Sequence, residues 1–265
     1  MDFSQLTFVA IQAALKAGTL LKKGFGTSFE INQKEGKQNL VTEYDHASEE
    51  CIISFIKSHF PDHSFLAEES GSSFAKDGNV LWIIDPLDGT VNFARGLPAF
   101  AISIAASIKQ NVVSGVIYQP LLNELFVAEK GKGAYLNGLK LQVSHVSKLE
   151  EAMLATGFPY NVHENPLHCI DQFTYVLSLG IPIRRFGSAA LDLAYVAAGR
   201  FDAYWEVSLH PWDMAAGKLL VEEAGGKVTH YDSSKHEVFC HKNILATNTL
   251  LHKEMTENLK MFSSS

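Results

Sequence analysis

Cysteine is scarce in this chain of 265 residues: Cys51, Cys169 and Cys240 are the only ones, and none forms a C-x-x-C pair. So small and odd a set excludes a disulfide framework and argues for reduced thiols, each expected as a small buried hydrophobe. Positive charge is also in deficit. Lys and Arg number 22 against 29 Asp and Glu, a net charge of −7, with a pI near 5.9. That excludes the basic face on which non-specific nucleic-acid binding depends. Long hydrophobic runs are missing too. The most apolar stretch, residues 99–108, carries serines and is too short to span a bilayer. No signal-peptide pattern opens the chain and no unit of 20–50 residues repeats. These absences predict a cytoplasmic protein with no membrane role. The chain is 46% hydrophobic, enough for one large or two small domains.

Against this background one run stands out: Trp82-Ile83-Ile84-Asp85-Pro86-Leu87-Asp88-Gly89-Thr90-Val91-Asn92-Phe93. Residues 80–84 are almost all apolar, as in a strand buried on both faces. Pro86 keeps Asp85 out of the α region, so the strand is expected to persist to Asp85 and then turn. Gly89 allows close backbone approach or positive φ. A helix starting near Thr90 would aim free N–H groups at the turn, where a phosphate fits. Two adjacent carboxylates repel and raise one pKa unless a cation intervenes, and oxygen ligands favour Mg2+, Ca2+ or Mn2+. The plainer alternative is an Asx-type turn in which Asp85 and Asp88 only cap a helix.

Other acids occupy comparable positions. Phe65-Leu66-Ala67 leads into Glu68-Glu69-Ser70, where alternation predicts that only one of the two acids faces a given site. Leu40-Val41-Thr42-Glu43-Tyr44-Asp45 reads as a strand ending in an acid. Asp213 falls in the first turn of a helix built on Met214, Leu219, Leu220 and Val221 and closed by Gly225. It is either an N-cap or a ligand brought in from a second domain. Sites in α/β folds gather at the carboxyl ends of strands, which makes these acids a set. Three other clusters are set aside. His236, Cys240 and His241 lack the four ligands of a zinc site, Gly131-Lys132-Gly133 lacks the P-loop spacing, and His210 beside Pro211 is read as structural.

Further patterning predicts a first helix with Phe8, Ile11 and Leu15 on its apolar face and Ser4 as N-cap. A second helix is expected over 46–60, with Cys51, Ile52, Phe55 and Ile56 sharing a face. Residues 99–109 and 112–119 read as paired strands turning at Gln110-Asn111. Residues 124–130 and 133–143 read as more antiparallel strand, turning at Asn137-Gly138. From Met153 onward strands and helices alternate. The polar stretch 144–150 suggests a boundary between an α+β domain, 1–146, carrying most of the candidate ligands, and an α/β domain, 147–265, carrying Asp213.

Taken together, D-P-L-D-G-T-V-N-F, the upstream Glu-Glu-Ser, and W-D-M-A-A-G followed by E-A-G-G resemble the inositol monophosphatase family over essentially the whole chain. Residues 185–194 resemble the family's substrate-facing helix start in its bacterial form. The resemblance implies a layered α-β-α-β-α sandwich of the inositol monophosphatase and fructose-1,6-bisphosphatase type. It implies a first Mg2+ on Glu68, Asp85 and the Leu87 carbonyl, and a second on Asp85, Asp88 and Asp213. A third, weaker ion would sit near Glu68, mostly through water. Mn2+ could replace Mg2+, and Li+ would inhibit. Gly89 and Thr90 would cradle phosphate, and Thr90 with Asp45 would orient the attacking water. Ala189, Glu206 and Asp213 would face the alcohol, and Lys34 would lie on a loop near the phosphate. Ala67 stands where many relatives carry Gly. The expected reaction is Mg2+-dependent hydrolysis of a small phosphorylated polyol or sugar, foremost inositol 1-phosphate, by a homodimer without a covalent intermediate. Fructose bisphosphate, histidinol phosphate, a 3′-phosphonucleotide and NADP are alternative substrates. A larger bisphosphate would need basic residues, for which Arg184, Arg185 and Lys218 are the candidates. A regulatory binding protein on the same fold is the alternative from another class.

Overall fold

A computed structural model describes residues 3–33, 40–75, 79–240, 242–260 and 262. In chain order the elements are α1 (Ser4–Gly24), β1 (Ile31–Gln33), β2 (Leu40–Thr42), α2 (Glu43–His59), β3 (Ser64–Ala67), β4 (Gly71–Ser73), β5 (Val80–Asp88) and α3 (Thr90–Ala94). There follow β6 (Ala101–Ile108), β7 (Asn111–Gln119), β8 (Glu124–Glu129), β9 (Gly133–Leu136), β10 (Leu139–Lys140), β11 (Leu154–Thr156) and α4 (Cys169–Ser178). The chain continues with β12 (Ile183–Arg184), α5 (Ala189–Ala197), β13 (Ala203–Glu206), α6 (Pro211–Glu223), β14 (Lys227–Thr229), β15 (Ile244–Thr247) and α7 (His252–Lys260).

Strand alternation builds the layers. Along β5 and β6, Trp82, Ile84, Ile102, Ile104 and Ala106 share a core with α1 and α2. Ile83, Ala101 and Ala105 face the other way, into a core with α5 and α6. These strands belong to an eight-stranded sheet ordered β10-β9-β8-β7-β6-β5-β3-β4, antiparallel except for β3 beside β5. A five-stranded sheet, β12-β11-β13-β15-β14, covers the far side of α5 and α6, with β11 parallel to both β12 and β13. Its outer face packs a third core, including Cys169, Val176, Met255 and Leu259 of α4 and α7. The result is the layered α-β-α-β-α sandwich, with α5 and α6 as the shared middle layer.

Several local expectations need correction. Asp45 does not end a strand: β2 stops at Thr42, and Asp45 is in the first turn of α2. The Thr42 backbone and side chain and Asp45 form a capping box that starts the helix before residue 46. Ser4 is the first residue of α1 rather than its cap, and it accepts a hydrogen bond from Lys132 at 2.8 Å. Phe8 points outward. The buried face of α1 is instead made of small residues, among them Ala10, Ala13, Ala14 and Ala17. Gly18 shows why, because a Cβ there would lie 2.4 Å from the Tyr118 ring. The β6–β7 turn uses Lys109 and Gln110, both at positive φ. The stretch after Gly133 splits into β9 and β10 around Asn137-Gly138, and pairing ends at Lys140. Of the cysteines only Cys169 is buried, and Cys240 is exposed. No helix among the described residues is long and apolar enough to cross a membrane.

The middle layer is seated on the larger sheet through Gly115 of β7, where an added Cβ would lie 3.0 Å from both the Cα and the carbonyl oxygen of Ala216 on α6. Backbone cannot retreat as a flexible side chain can. Gly115→Val is therefore expected to destabilise the fold by about 1–3 kcal/mol, read as a lower urea midpoint at unchanged m-value. An unchanged midpoint would show that α6 does not rest on this strand.

Candidate active site

Strand β5 is the centre of the site. It runs on past the expected turn to Asp88, with a register shift against β6 between Asp85 and Asp88. The bulge accommodates Pro86, which cannot donate to the ladder. Asp85 folds back on its own turn, and its Oδ1 accepts from the Leu87 N–H at 3.0 Å. Gly89 follows at φ +96°, where a Cβ would meet the Ala99 carbonyl oxygen at 2.8 Å. Only glycine fits there, and it places Thr90 at the start of α3.

Thr90 Oγ1 has one proton and two acceptors in reach, Asp45 Oδ1 at 2.8 Å and the Leu87 carbonyl at 3.0 Å. Asp45 is itself fully buried, and its Oδ2 accepts from the Thr42 N–H at 2.7 Å and the Thr42 hydroxyl at 2.6 Å. Burial raises the Asp45 carboxyl above its ordinary value, opposed by these hydrogen bonds, with the nearby Glu69 charge adding to the rise.

The first turns of α5 and α6 bring in the second half of the chain. Asp88 Oδ2 accepts from the Ser188 hydroxyl and from the Ala190 N–H, both at 2.7 Å. Asp213, in the first turn of α6, takes the His210 N–H on Oδ2 at 2.7 Å. That helix start is tied to the larger sheet by Ser103 Oγ, which donates to the Trp212 carbonyl at 3.1 Å. The starts of α2, α3, α5 and α6 therefore converge where the acids lie. Helix starts carry partial positive charge and favour anionic groups.

The acids act strongly on one another. Burial, then Glu68, Asp88 and Asp213, pushes the Asp85 carboxyl well above the carboxylate range. Burial and Asp213 push Asp88 up to about 7, opposed by the bonds from Ser188 and Ala190. Asp213 beside the His210 ring, Nδ1 to Oδ2 at 3.7 Å, raises that imidazole. Among the described residues no three His, Cys, Asp or Glu side chains form a finished ligand cage. The carboxylates satisfy protein donors instead, as the bonds to Asp85, Asp88 and Asp213 show. Hard oxygen donors that repel one another around buried Asp85 nonetheless fit a divalent cation of the Mg2+ type, which would relieve the repulsion.

Glu68 and Glu69 both reach this neighbourhood. They lie in a turn after β3, where strand alternation no longer applies, and Glu69 acts on Asp45 while Glu68 acts on Asp85 and Asp88. Glu206 closes the other side. The Tyr204 hydroxyl donates to Glu206 Oε2, and Gly157 backs onto its carboxyl so closely that a Cβ would lie 1.9 Å from Oε2. Burial pushes Glu206 up to about 8. Ala189 is the first residue of α5 and is buried. Lys34 lies outside the described residues, as does His241.

The sequence patterns do not single out Gly157 or Glu49, and they hold Ser188 and Asp192 only within the 185–194 stretch, with no role of their own. Glu49 stands four residues after Asp45, the one signal that places both on one helix face. Asp192 is 1% exposed and neither of its carboxylate oxygens is hydrogen-bonded. Burial, Glu206 and Asp88 raise it far above its usual range, against Arg185.

Comparison with known proteins gives the family of the chain. The model of the inositol monophosphatase family matches residues 2–261. The Nus factor SuhB of Salmonella typhimurium is 44% identical over 254 residues, covering 95% of this chain and 94% of that one. The inositol-1-monophosphatase of Caulobacter vibrioides is 43% identical over 253 residues, covering 94% and 99%. The solved extragenic suppressor protein suhB from Bartonella henselae superposes with a TM-score of 0.91 at 40% identity, covering 97% and 98%. An IMPase/NADP phosphatase solved in complex with Mg2+ and phosphate gives 0.80 at 25% identity, covering 92% and 90%. Fold and neighbours define the layered phosphatase class. Within that class, this chain belongs to the inositol monophosphatase family, and membership supports phosphatase activity.

Glu206 generates a pH prediction. Its carboxyl titrates near 8 when folded against an ordinary 4.5. Between those values the folded chain holds a proton that the unfolded chain has lost, so stability falls as pH rises through this window. Glu206→Gln is expected to flatten the decline, by at most about 1.4 kcal/mol per pH unit. Urea unfolding of the metal-free protein from pH 5 to 8 measures it, and parallel curves for the two proteins would count against a neutral Glu206.

Proposed function

We propose that this chain hydrolyses a phosphate monoester with Mg2+, with myo-inositol 1-phosphate as the leading substrate. The observation that carries the reading is the mutually repelling set of buried Asp85 with half-buried Asp88, Glu68 and Asp213 at converging strand and helix ends. Glu68, Asp85 and the Leu87 carbonyl would hold one ion, and Asp85, Asp88 and Asp213 a second. A weaker third would lie near Glu68. When bound, such ions neutralise charge on the transferring phosphoryl group and lower the pKa of the attacking water.

The chain's own residues supply the rest. Thr90 donates its proton to Asp45, which leaves an Oγ1 lone pair to accept from a water. Gly89 and the start of α3 offer backbone N–H groups to phosphate oxygens. Glu206, neutral near pH 7, both donates and accepts, which suits a polyol hydroxyl. Asp213 and Ala189 would complete the alcohol side. Asp85 would be engaged as a ligand, so no phospho-enzyme is required. The reading includes inhibition by Li+ and a homodimer. Fructose bisphosphate, histidinol phosphate, a 3′-phosphonucleotide and NADP remain substrates of the same chemistry.

A second reading, a regulatory binding role on this fold, is favoured by one observation: a 44% identical relative is a Nus factor. The two readings separate in one assay. Phosphate release from inositol 1-phosphate and the alternative esters is measured with and without Mg2+, beside Asp88→Asn. We expect Mg2+-dependent release from inositol 1-phosphate that falls at least about 100-fold in the variant, the scale on which removal of one electrostatic stabiliser acts. Release from another ester alone would move the substrate. No release from any ester would leave the binding role.

A further inference from the structure

Glu49 is a carboxylate at 4% exposure that commits both oxygens to one short stretch of backbone. Its Oε2 accepts from the Glu69 N–H at 2.9 Å and its Oε1 from the Ser70 N–H at 2.8 Å. A carboxylate buried to this degree is expensive without such donors. Residues 68–70 form the turn that follows β3, and the Glu68 N–H is tied to the Ile84 carbonyl of β5 at 3.2 Å. The backbone that carries Glu68 is therefore held from both sides, by β5 and by Glu49.

The same helix face does more. Asp45, Ser48 and Glu49 sit at i, i+3 and i+4, which aligns them on α2. Ser48 Oγ donates to the Pro86 carbonyl at 2.8 Å, between the two β5 acids, and Asp45 accepts from Thr90. One face of one helix thus grips the three segments that carry Glu68, Asp85 with Asp88, and Thr90. A simple turn cap would need only the Glu49 bonds and would be indifferent to what Glu68 faces.

Resting on the Mg2+-dependent reading above, we propose that Glu49 is a positioning residue for the metal centre. It fixes the 68–70 turn so that the Glu68 carboxylate faces Asp85 and Asp88, and it touches neither ion nor substrate. Glu49 also borders a cavity of about 350 Å³ shared with His46, Lys57, Phe65 and Ser70. An isosteric change at Glu49 therefore alters hydrogen bonding without crowding the core. Glu49→Gln keeps one acceptor and turns the other oxygen into an NH2 group facing a backbone N–H, which leaves a turn donor unpaired. Residues that orient metal ligands are worth about 10–100-fold in metal affinity.

The test is calorimetric titration of the full chain with Mg2+ alone, in wild type, Glu49→Gln and the exposed neighbour Glu50→Gln. Thermal melting without metal is recorded in parallel. The expected result is wild-type affinity in Glu50→Gln and about 10-fold weaker binding or more in Glu49→Gln, at a nearly unchanged metal-free melting temperature. Equal affinity in wild type and Glu49→Gln overturns the proposal and leaves the functional reading standing. Absence of Mg2+ binding in wild type overturns both. Should Glu49→Gln fail to fold, hydrogen exchange on the wild type decides: the Glu69 and Ser70 amides must be protected, and further protected by Mg2+. Exchange at the rate of an open loop, indifferent to Mg2+, overturns the proposal.

Discussion

Repulsion between buried Asp85 and the half-buried carboxylates around it is the constraint around which this molecule is arranged. Asp85 and Asp88 lie three residues apart on one strand, and Asp213 is delivered beside them from α6. In an unpaired state each such charge would shed its ionised form before tolerating the interior. The protein softens the conflict by aiming helix starts at the acids and by giving Asp88 the Ser188 hydroxyl and the Ala190 amide. The middle layer then has two duties. It fills the core between the sheets, and it carries the donors and the remaining acid to the end of β5.

That dual role explains why small residues occur where they do. Gly115 lets α6 lie against β7, Gly217 lets α6 lie against Leu193 of α5, and Gly157 lets Glu206 turn inward. None of these three glycines has positive φ, so each is required for closeness rather than for chain reversal. Packing in the second half is accordingly an instrument of the site: the helices can bring functional groups together only because their backbones approach this near.

Much of this was legible in the chain. The run from Trp82 to Phe93 announces a buried strand, a proline-broken turn and a glycine-led helix start, because each feature is a local consequence of its own residues. The helix from Pro211 was legible for the same reason, with Pro at its start and Gly225 at its end. Asp45 was misplaced because the apolar, β-branched Leu40-Val41-Thr42 run extrapolates smoothly into Glu43, whereas the Thr-x-x-Asp capping box ends it. Phe8 faces outward, against the expectation from hydrophobicity alone, because α1 lies close to the sheet through small residues, with Gly18 directly against the Tyr118 ring. Ser188 and Gly157 owe their significance to partners many residues distant, and a single sequence carries no trace of such pairings. Glu68 and Glu69 show a different limit: β3 ends at Ala67, so strand alternation does not extend to the turn that carries both acids.

The order of the acids along the chain has a consequence for how the protein is made. Asp45, Glu68, Asp85 and Asp88 are all synthesised before the larger sheet ends at Lys140, whereas Asp213 arrives more than seventy residues later. Chains emerging from a ribosome fold N-terminal portions first. The nascent first half therefore leaves the ribosome with one member of the repelling set still absent. Only when α6 settles onto β5, β6 and β7 does the full charge cluster exist, so the electrostatic cost falls on the same docking event that covers the core between the sheets.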